Sequence, residues 1–330
     1  MAGRHSQPAR RHAWFPLPTG LAGACLLSHI QRDGLLMNDV SIDEWLAGLE
    51  RHLAQIPRGG GRYANGRPGF VAALTPQAWR LLNLQGMGKN LAPIVTAAWN
   101  QEPVRFRALL SAYVRLSTLT ALANAPFGPK ACFTDPLVAL AAGDEATYRV
   151  QVPAADDWGD PDETPAVEGM VVLVTKLTAA IEHGLPRPAA WGAFIDRVLA
   201  ESGAFDRALA GTLLALYAGD SDPVAPFGKV VATFRRSGWA RVRYGELAGL
   251  PLLPVGIAAL ARRKHAVASD ALAALLPAAA VSYSRVLVAD APACPVRFRG
   301  ELAFLNELLA DPASWAALAA RLAQQWNATA

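Results

Sequence analysis

Apolar residues recur along this chain mostly every three or four positions, the spacing of a helix face, and seldom in alternation. Ile42, Trp45, Leu46, Leu49, Leu53 and Ile56 trace one such face. It opens at Ser41 and Glu44, an S-x-x-E pair in which each side chain accepts from the other residue's backbone N–H. The stretch from Arg58 to Gly69, with five glycines, ends that helix. Thr75-Pro76 predicts the next start, a threonine cap followed by proline where a missing N–H costs nothing, and Trp79 and Leu82 follow on one face. Asp135-Pro136 and Asp311-Pro312 repeat the device. Phe106, Leu109, Leu110, Tyr113, Leu116 and Thr120 predict a long amphipathic helix with Arg105, Arg107 and Arg115 on its solvated edges. Trp191, Phe194, Ile195, Val198 and Leu199 keep the i, i+3, i+4, i+7, i+8 rule. Phe205, Leu209, Leu213 and Leu216 supply a partner helix after Ser202-Gly203.

Two stretches test the helical reading. Met170 to Thr175 is as rich in valine as a strand, but it runs into Leu177, Ala180 and Ile181 at helical spacing and reads as a buried helix. Val281 to Val288, with Val296 to Arg299 beyond Pro292, fits a short β-hairpin. The expected fold is therefore all-α, a multi-helix bundle or an irregular helical-hairpin repeat, with room for one short β-hairpin near 281–299. An internal echo bears on the choice: Leu137 to Asp144 and Leu213 to Asp220 both read L-x-A-L-x-A-G-D. In each, glycine allows the left-handed residue that closes a helix, and aspartate can cap the next one. A duplicated helical hairpin and two independent glycine-capped helices both fit this pattern.

Composition agrees with helices. Apolar residues make up 52% and charged residues 18%, which excludes disorder as the main state, and about a fifth of the chain is alanine, the best helix former. The net charge of +4 invites a nucleic-acid partner, but Arg4, Arg10, Arg11 and Arg32 against Asp33 place three of those charges in residues 1–36. The remainder is nearly neutral, so nucleic acid is not an expected partner. Residues 1–36 read as a disordered or artefactual extension. Arg10 and Arg11 followed by Trp14 to Leu27 have the order of a secretory signal, but Pro16 and Pro18 interrupt it. Ala22 stands where a lipoprotein signal wants leucine before Cys25. Met37, directly ahead of the first helix, is an alternative start to Met1. The expected location is cytoplasmic, or periplasmic or lipid-anchored if 1–36 is a working signal.

Cys25, Cys132 and Cys294 are odd in number and lack CxxC spacing, so they define neither a zinc set nor a disulfide framework. No window of about 20 residues is free of charge and proline, so no membrane span is expected. Leu247 to Ala261, the most apolar stretch, contains Pro251 and Pro254 and reads as a core helix. The expected organisation is an N-terminal helical subdomain over 37–153, an acidic linker over 154–168 and a C-terminal helical subdomain over 169–330.

No catalytic, cofactor-binding or metal-ligating set emerges from local motifs. The histidines at 5, 12, 29, 52, 183 and 265 show no metal-site spacing, and there is no G-x-S-x-G elbow. Gly59-Gly60-Gly61 follows the end of a helix, not the strand a dinucleotide site needs, and Gly88-Lys89-Asn90 is not a Walker A. The sharpest charged feature is Asp156-Asp157-Trp158-Gly159-Asp160-Pro161-Asp162-Glu163, with no basic residue between Gln151 and Met170. It reads as an exposed linker, either a docking surface for a basic partner or simply a solvated connection. Its candidate partner-binding residues are Asp156, Asp157, Trp158, Asp160, Asp162 and Glu163. Basic clusters stand at Arg235, Arg236, Arg241 and Arg243, interleaved with Trp239 and Tyr244, and at Arg262-Arg263-Lys264, where cations complement a helix C-terminus.

From about residue 90 to 281 the order of features resembles the immunity-protein-forty-nine family of bacterial polymorphic toxin systems. A long helix leads to Leu137 to Asp144, the second L-x-A-L-x-A-G-D helix follows, and a basic spacer precedes Leu250-Pro251-Leu252-Leu253-Pro254-Val255-Gly256-Ile257-Ala258-Ala259-Leu260-Ala261. Ala271 to Pro277 resembles the family's closing apolar segment. The resemblance implies an all-helical protein that neutralises a cognate toxin by binding and occluding it, and it implies no catalytic residues. Two other functions are compatible with the residues. One is a helical enzyme assembling dispersed groups such as His183, Asp196, Glu201 and Tyr217; the other is a helical-repeat scaffold for protein–protein interaction.

Overall fold

The first described helix starts where the capping box predicts. Ser41 Oγ accepts from Glu44 N at 3.1 Å and Glu44 Oε2 from Ser41 N at 2.9 Å, opening α1 (Ile42–Gln55), which buries Trp45, Leu49 and Leu53. The structure, a computed structural model, describes residues 41–56, 68–99, 101–125, 135–152, 158, 161, 169–219, 221–238, 241, 244–286 and 296–329. The extension 1–36, the three cysteines and the glycine run 59–61 lie outside them.

The fold is all-α: among the described residues there are helices and turns and no strand. After α1 come α2 (Pro68–Ala73), α3 (Pro76–Asn83), α4 (Ala92–Trp99), α5 (Pro103–Asn124), α6 (Asp135–Ala142), α7 (Glu145–Gln151) and α8 (Gly169–His183). Then follow α9 (Ala190–Glu201), α10 (Ala204–Ala218), α11 (Val224–Thr233), α12 (Leu252–Lys264), α13 (Ala266–Ala274), α14 (Ala278–Val286), α15 (Phe304–Ala310) and α16 (Trp315–Ala328). Short 3-10 turns join several of them. Residues 38–330 form one compact unit around a continuous apolar core.

Local chemistry explains most starts and stops. Thr75 Oγ1 accepts from Ala78 N and caps α3. Asp311-Pro312 departs from its expected role: a 3-10 turn, Pro312–Ser314, intervenes before α16, and the Asp311 side chain caps nothing there. Both glycines of the L-x-A-L-x-A-G-D echo take the left-handed conformation that closes a helix, Gly143 at φ 65° and Gly219 at φ 76°. Asp144 caps α7 through Thr147 N, while Asp220 lies outside the described residues.

Three expectations need correction. Helix α5 is not amphipathic: it is buried on nearly every side, because α3, α4, α6, α14, α15 and α16 all pack on it. Arg107 is accordingly buried and Arg115 mostly so, leaving Arg105 as the exposed member of the expected trio. Residues 281–286 are not a hairpin strand. They belong to α14, which follows Pro277 and buries Ala280 and Tyr283, three positions apart on one helical face. Val296 to Arg299, the expected second strand, is also described and forms no strand, while 287–295 lies outside the described residues.

Helices α6 and α12, which lie on either side of the acidic segment in sequence, pack closely together. Gly256 sits against the Leu137 carbonyl so tightly that a Cβ there would overlap it. This is the physical use of glycine inside an otherwise strong helix: it lets two backbones meet.

Candidate functional site

The N-terminus of α7 organises two polar clusters, one sealed and one at the surface. In the sealed cluster, Asp144 Oδ2 accepts from Ser111 Oγ at 2.6 Å and Arg115 Nε at 2.5 Å, and Oδ1 accepts from Arg115 Nη2 at 3.0 Å. The Asp144 side chain is 1% exposed and that of Arg115 17%. Arg115 also donates to Leu309 O at 2.8 Å, tying α15 to the junction. Arg107 donates to Ala142 O at 3.0 Å, and Tyr283 Oη donates to Ala141 O at 2.6 Å. Together they satisfy carbonyls that the end of α6 leaves without helical partners. Burial alone would raise the Asp144 carboxyl, but the hydrogen bonds and charge of Arg115, with Ser111 and Thr147 N, hold it below its ordinary value.

One residue further on, Glu145 begins the surface cluster. Arg263, in the last turn of α12, donates to Glu145 Oε2 at 2.6 Å and to Glu182 Oε1 at 3.0 Å. Lys264 reaches Glu182 at 3.3 Å, and Tyr148 Oη donates to Glu182 Oε2 at 2.9 Å. The Arg263 guanidinium lies 5.2 Å from the centre of the Tyr148 ring. Glu182 is pushed up by burial but pulled below its usual range by the hydrogen bonds of Arg263 and Tyr148. Burial and the Glu182 charge push the Tyr148 phenol up, so it stays protonated and donates. With the Asp144 and Glu182 carboxyls held below their ordinary values and the Tyr148 phenol above its own, the two clusters lock α5, α7, α8 and α12 in register.

Of the acidic segment, Trp158 and Pro161 are described, and both are buried. Trp158 was expected on an exposed linker; instead it is 5% exposed, with its ring centre 5.1 Å from Trp191 and 6.4 Å from Tyr217. The physical reason is apolar area: an indole gains more by covering the start of α9 than by facing water. Asp156, Asp157, Asp160, Asp162 and Glu163 lie outside the described residues.

The dispersed candidates are engaged elsewhere. His183 Nε2 bonds Val152 O at 2.7 Å, and the Tyr217 hydroxyl accepts from Arg187 N at 2.7 Å and donates to Leu185 O at 3.1 Å. Asp196 and Glu201 lie exposed on α9. Among the described residues no hydrogen bond or ion pair joins any two of the four. The described residues also contain no group of three His, Cys, Asp or Glu side chains placed to hold a metal ion. An apolar crevice beside Val138, Phe234, Tyr244 and Leu253 has space for about one water molecule. No described helix is long and apolar enough to cross a membrane. The class the architecture defines is an all-α protein with two polar helix junctions. The chain matches no family model, and no curated protein or solved structure is similar to it.

The sealed cluster is what the sequence reading missed. The signal for half of it was present, since glycine-aspartate marks the end of one helix and the cap of the next. Its arginine partners carried no local signal, because the helical pattern assigned Arg107 and Arg115 to solvated edges.

Proposed function

We propose that this protein is an immunity-type binding protein that neutralises a cognate toxin by direct binding and occlusion. The reading rests on the resemblance in residues 90–281 and on one physical observation, the seating of Trp158. Five acids flank in sequence an indole buried against Trp191, so the segment has a point of attachment to the helical body at Trp158. A docking segment fastened in this way pays less ordering entropy on binding than a free linker. Its charge steers a basic partner and sets the association rate, while apolar or arginine anchors at the contact set affinity. The mechanism is steric and electrostatic, and the proposed location is the cytoplasm, where the toxin would be met.

The test is co-expression with the polypeptide encoded beside this gene. Rescue of growth and isolation of a complex are the expected results; a toxic neighbour that stays lethal and does not associate ends the proposal. Replacing Asp156, Asp157, Asp160, Asp162 and Glu163 together by their amides should slow association by about tenfold at low salt. An unchanged rate would assign the segment to a solvated connection.

A further inference from the structure

Between Asp222 and Glu246 the sequence carries Lys229, Arg235, Arg236, Arg241 and Arg243 and no acidic residue. The fold gathers three of these cations at one turn. Helix α11 ends at Thr233 and passes into the 3-10 turn Phe234–Arg236, in which Phe234 is buried and both arginines are exposed. Arg235 lies with its guanidinium 5.5 Å from the centre of the Phe234 ring, which orients it. Arg241 is also exposed, and its Nη2 folds back to donate to Arg235 O at 2.7 Å. That bond brings a third guanidinium onto the turn that already carries two. Among the described residues no carboxylate pairs with any of the three.

Like charges held together without counter-charges repel one another, and a surface free to choose would disperse them. Two of these three are instead held in place, one by a ring and one by a carbonyl. We propose that the exposed guanidiniums of Arg235, Arg236 and Arg241 form a docking surface for an acidic segment of a partner protein. Arginine, rather than lysine, fits this role because its planar fork takes a carboxylate through two parallel hydrogen bonds. Nucleic acid is the less suitable occupant. It demands a long positive field, whereas residues 37–330 as a whole are nearly neutral. The inference is independent of the toxin-neutralising reading and stands or falls separately.

The test uses the full chain and fluorescence anisotropy at low ionic strength. The probes are a labelled oligoglutamate peptide and a thymidine oligonucleotide of equal charge. The native chain should bind the peptide, and more tightly than the oligonucleotide. Because each surface pair contributes modestly, the variant R235Q/R236Q/R241Q should bind the peptide about tenfold more weakly. R105Q/R321Q, which removes two exposed arginines elsewhere, should change binding by less than about twofold. Circular dichroism melting reports whether the variants fold. If the triple variant does not, Arg236→Gln alone, an exposed side chain, should weaken binding by about twofold to threefold. No binding of the peptide, binding equal to the native chain by whichever of R235Q/R236Q/R241Q and R236Q folds, or tighter binding of the oligonucleotide overturns the proposal.

Discussion

Asp144 and Glu145 are neighbours at the start of one helix, yet their ion pairs belong to different physical regimes. Asp144 meets Arg115 inside the protein, where its side chain is 1% exposed. Glu145 meets Arg263 at the surface, with the two side chains 40% and 31% exposed. Both pairs are short, and residue chemistry alone does not separate them. Solvent does: the surface pair is screened and gains little over two hydrated ions, whereas the sealed pair, once broken, leaves a charge with nowhere to go. Geometry of equal quality therefore carries unequal weight, and what surrounds the pair sets its value.

Arg115→Ala is the largest break in that comparison. It strands the Asp144 carboxylate and should cost about 4 kcal/mol in urea unfolding. A loss near that of a surface pair would mean that water reaches the junction. Gly256→Ala comes next. It leaves both ion clusters chemically intact but forces α6 and α12 apart at Leu137 O, and should cost about 3 kcal/mol by the same measurement. Arg263→Ala should cost about 1 kcal/mol or less, and that loss should vanish near 1 M salt while the Arg115 effect persists. The smallest effect has the opposite sign. Gly192 lies inside α9 with nothing close to the position of a Cβ, so Gly192→Ala should stabilise by about 0.5 kcal/mol.

Acid sharpens the same contrast. Asp144 and Glu182 have folded values below their ordinary ones, so their contribution is present above about pH 4, the unfolded carboxylate range, and is lost as pH falls through the folded values. Native protein should lose stability below about pH 4, and Asp144→Asn should flatten that loss in unfolding curves taken across the range. An unchanged slope would remove Asp144 as its source.

Much of the helical plan was legible because it is written locally. Ser41, Glu44 and Thr75 cap through atoms three residues away, and the glycines of the L-x-A-L-x-A-G-D echo close helices through their own backbone freedom. The Trp191 to Leu199 face needs no partner to be recognised. Other features failed for a reason that is also physical. Arg107 and Arg115 look like solvated edges until a second helix end supplies carbonyls and a carboxylate. Val281 to Val288 looks like a strand until Tyr283, in its described part, finds Ala141 O. Trp158 looks exposed among acids until Trp191 offers a surface to cover.

By itself, then, the chain determined its all-α class, most of its helix starts and stops, and the placement of excess positive charge ahead of a nearly neutral body. These depend on backbone propensity, periodicity and caps, which act over a few residues. The tertiary structure alone decided which charges are sealed, where Gly256 brings two backbones together, that Trp158 is an anchor, and that three arginines share one exposed turn. Those outcomes depend on groups far apart in sequence and on the exclusion of water between them, and neither is encoded at any single position.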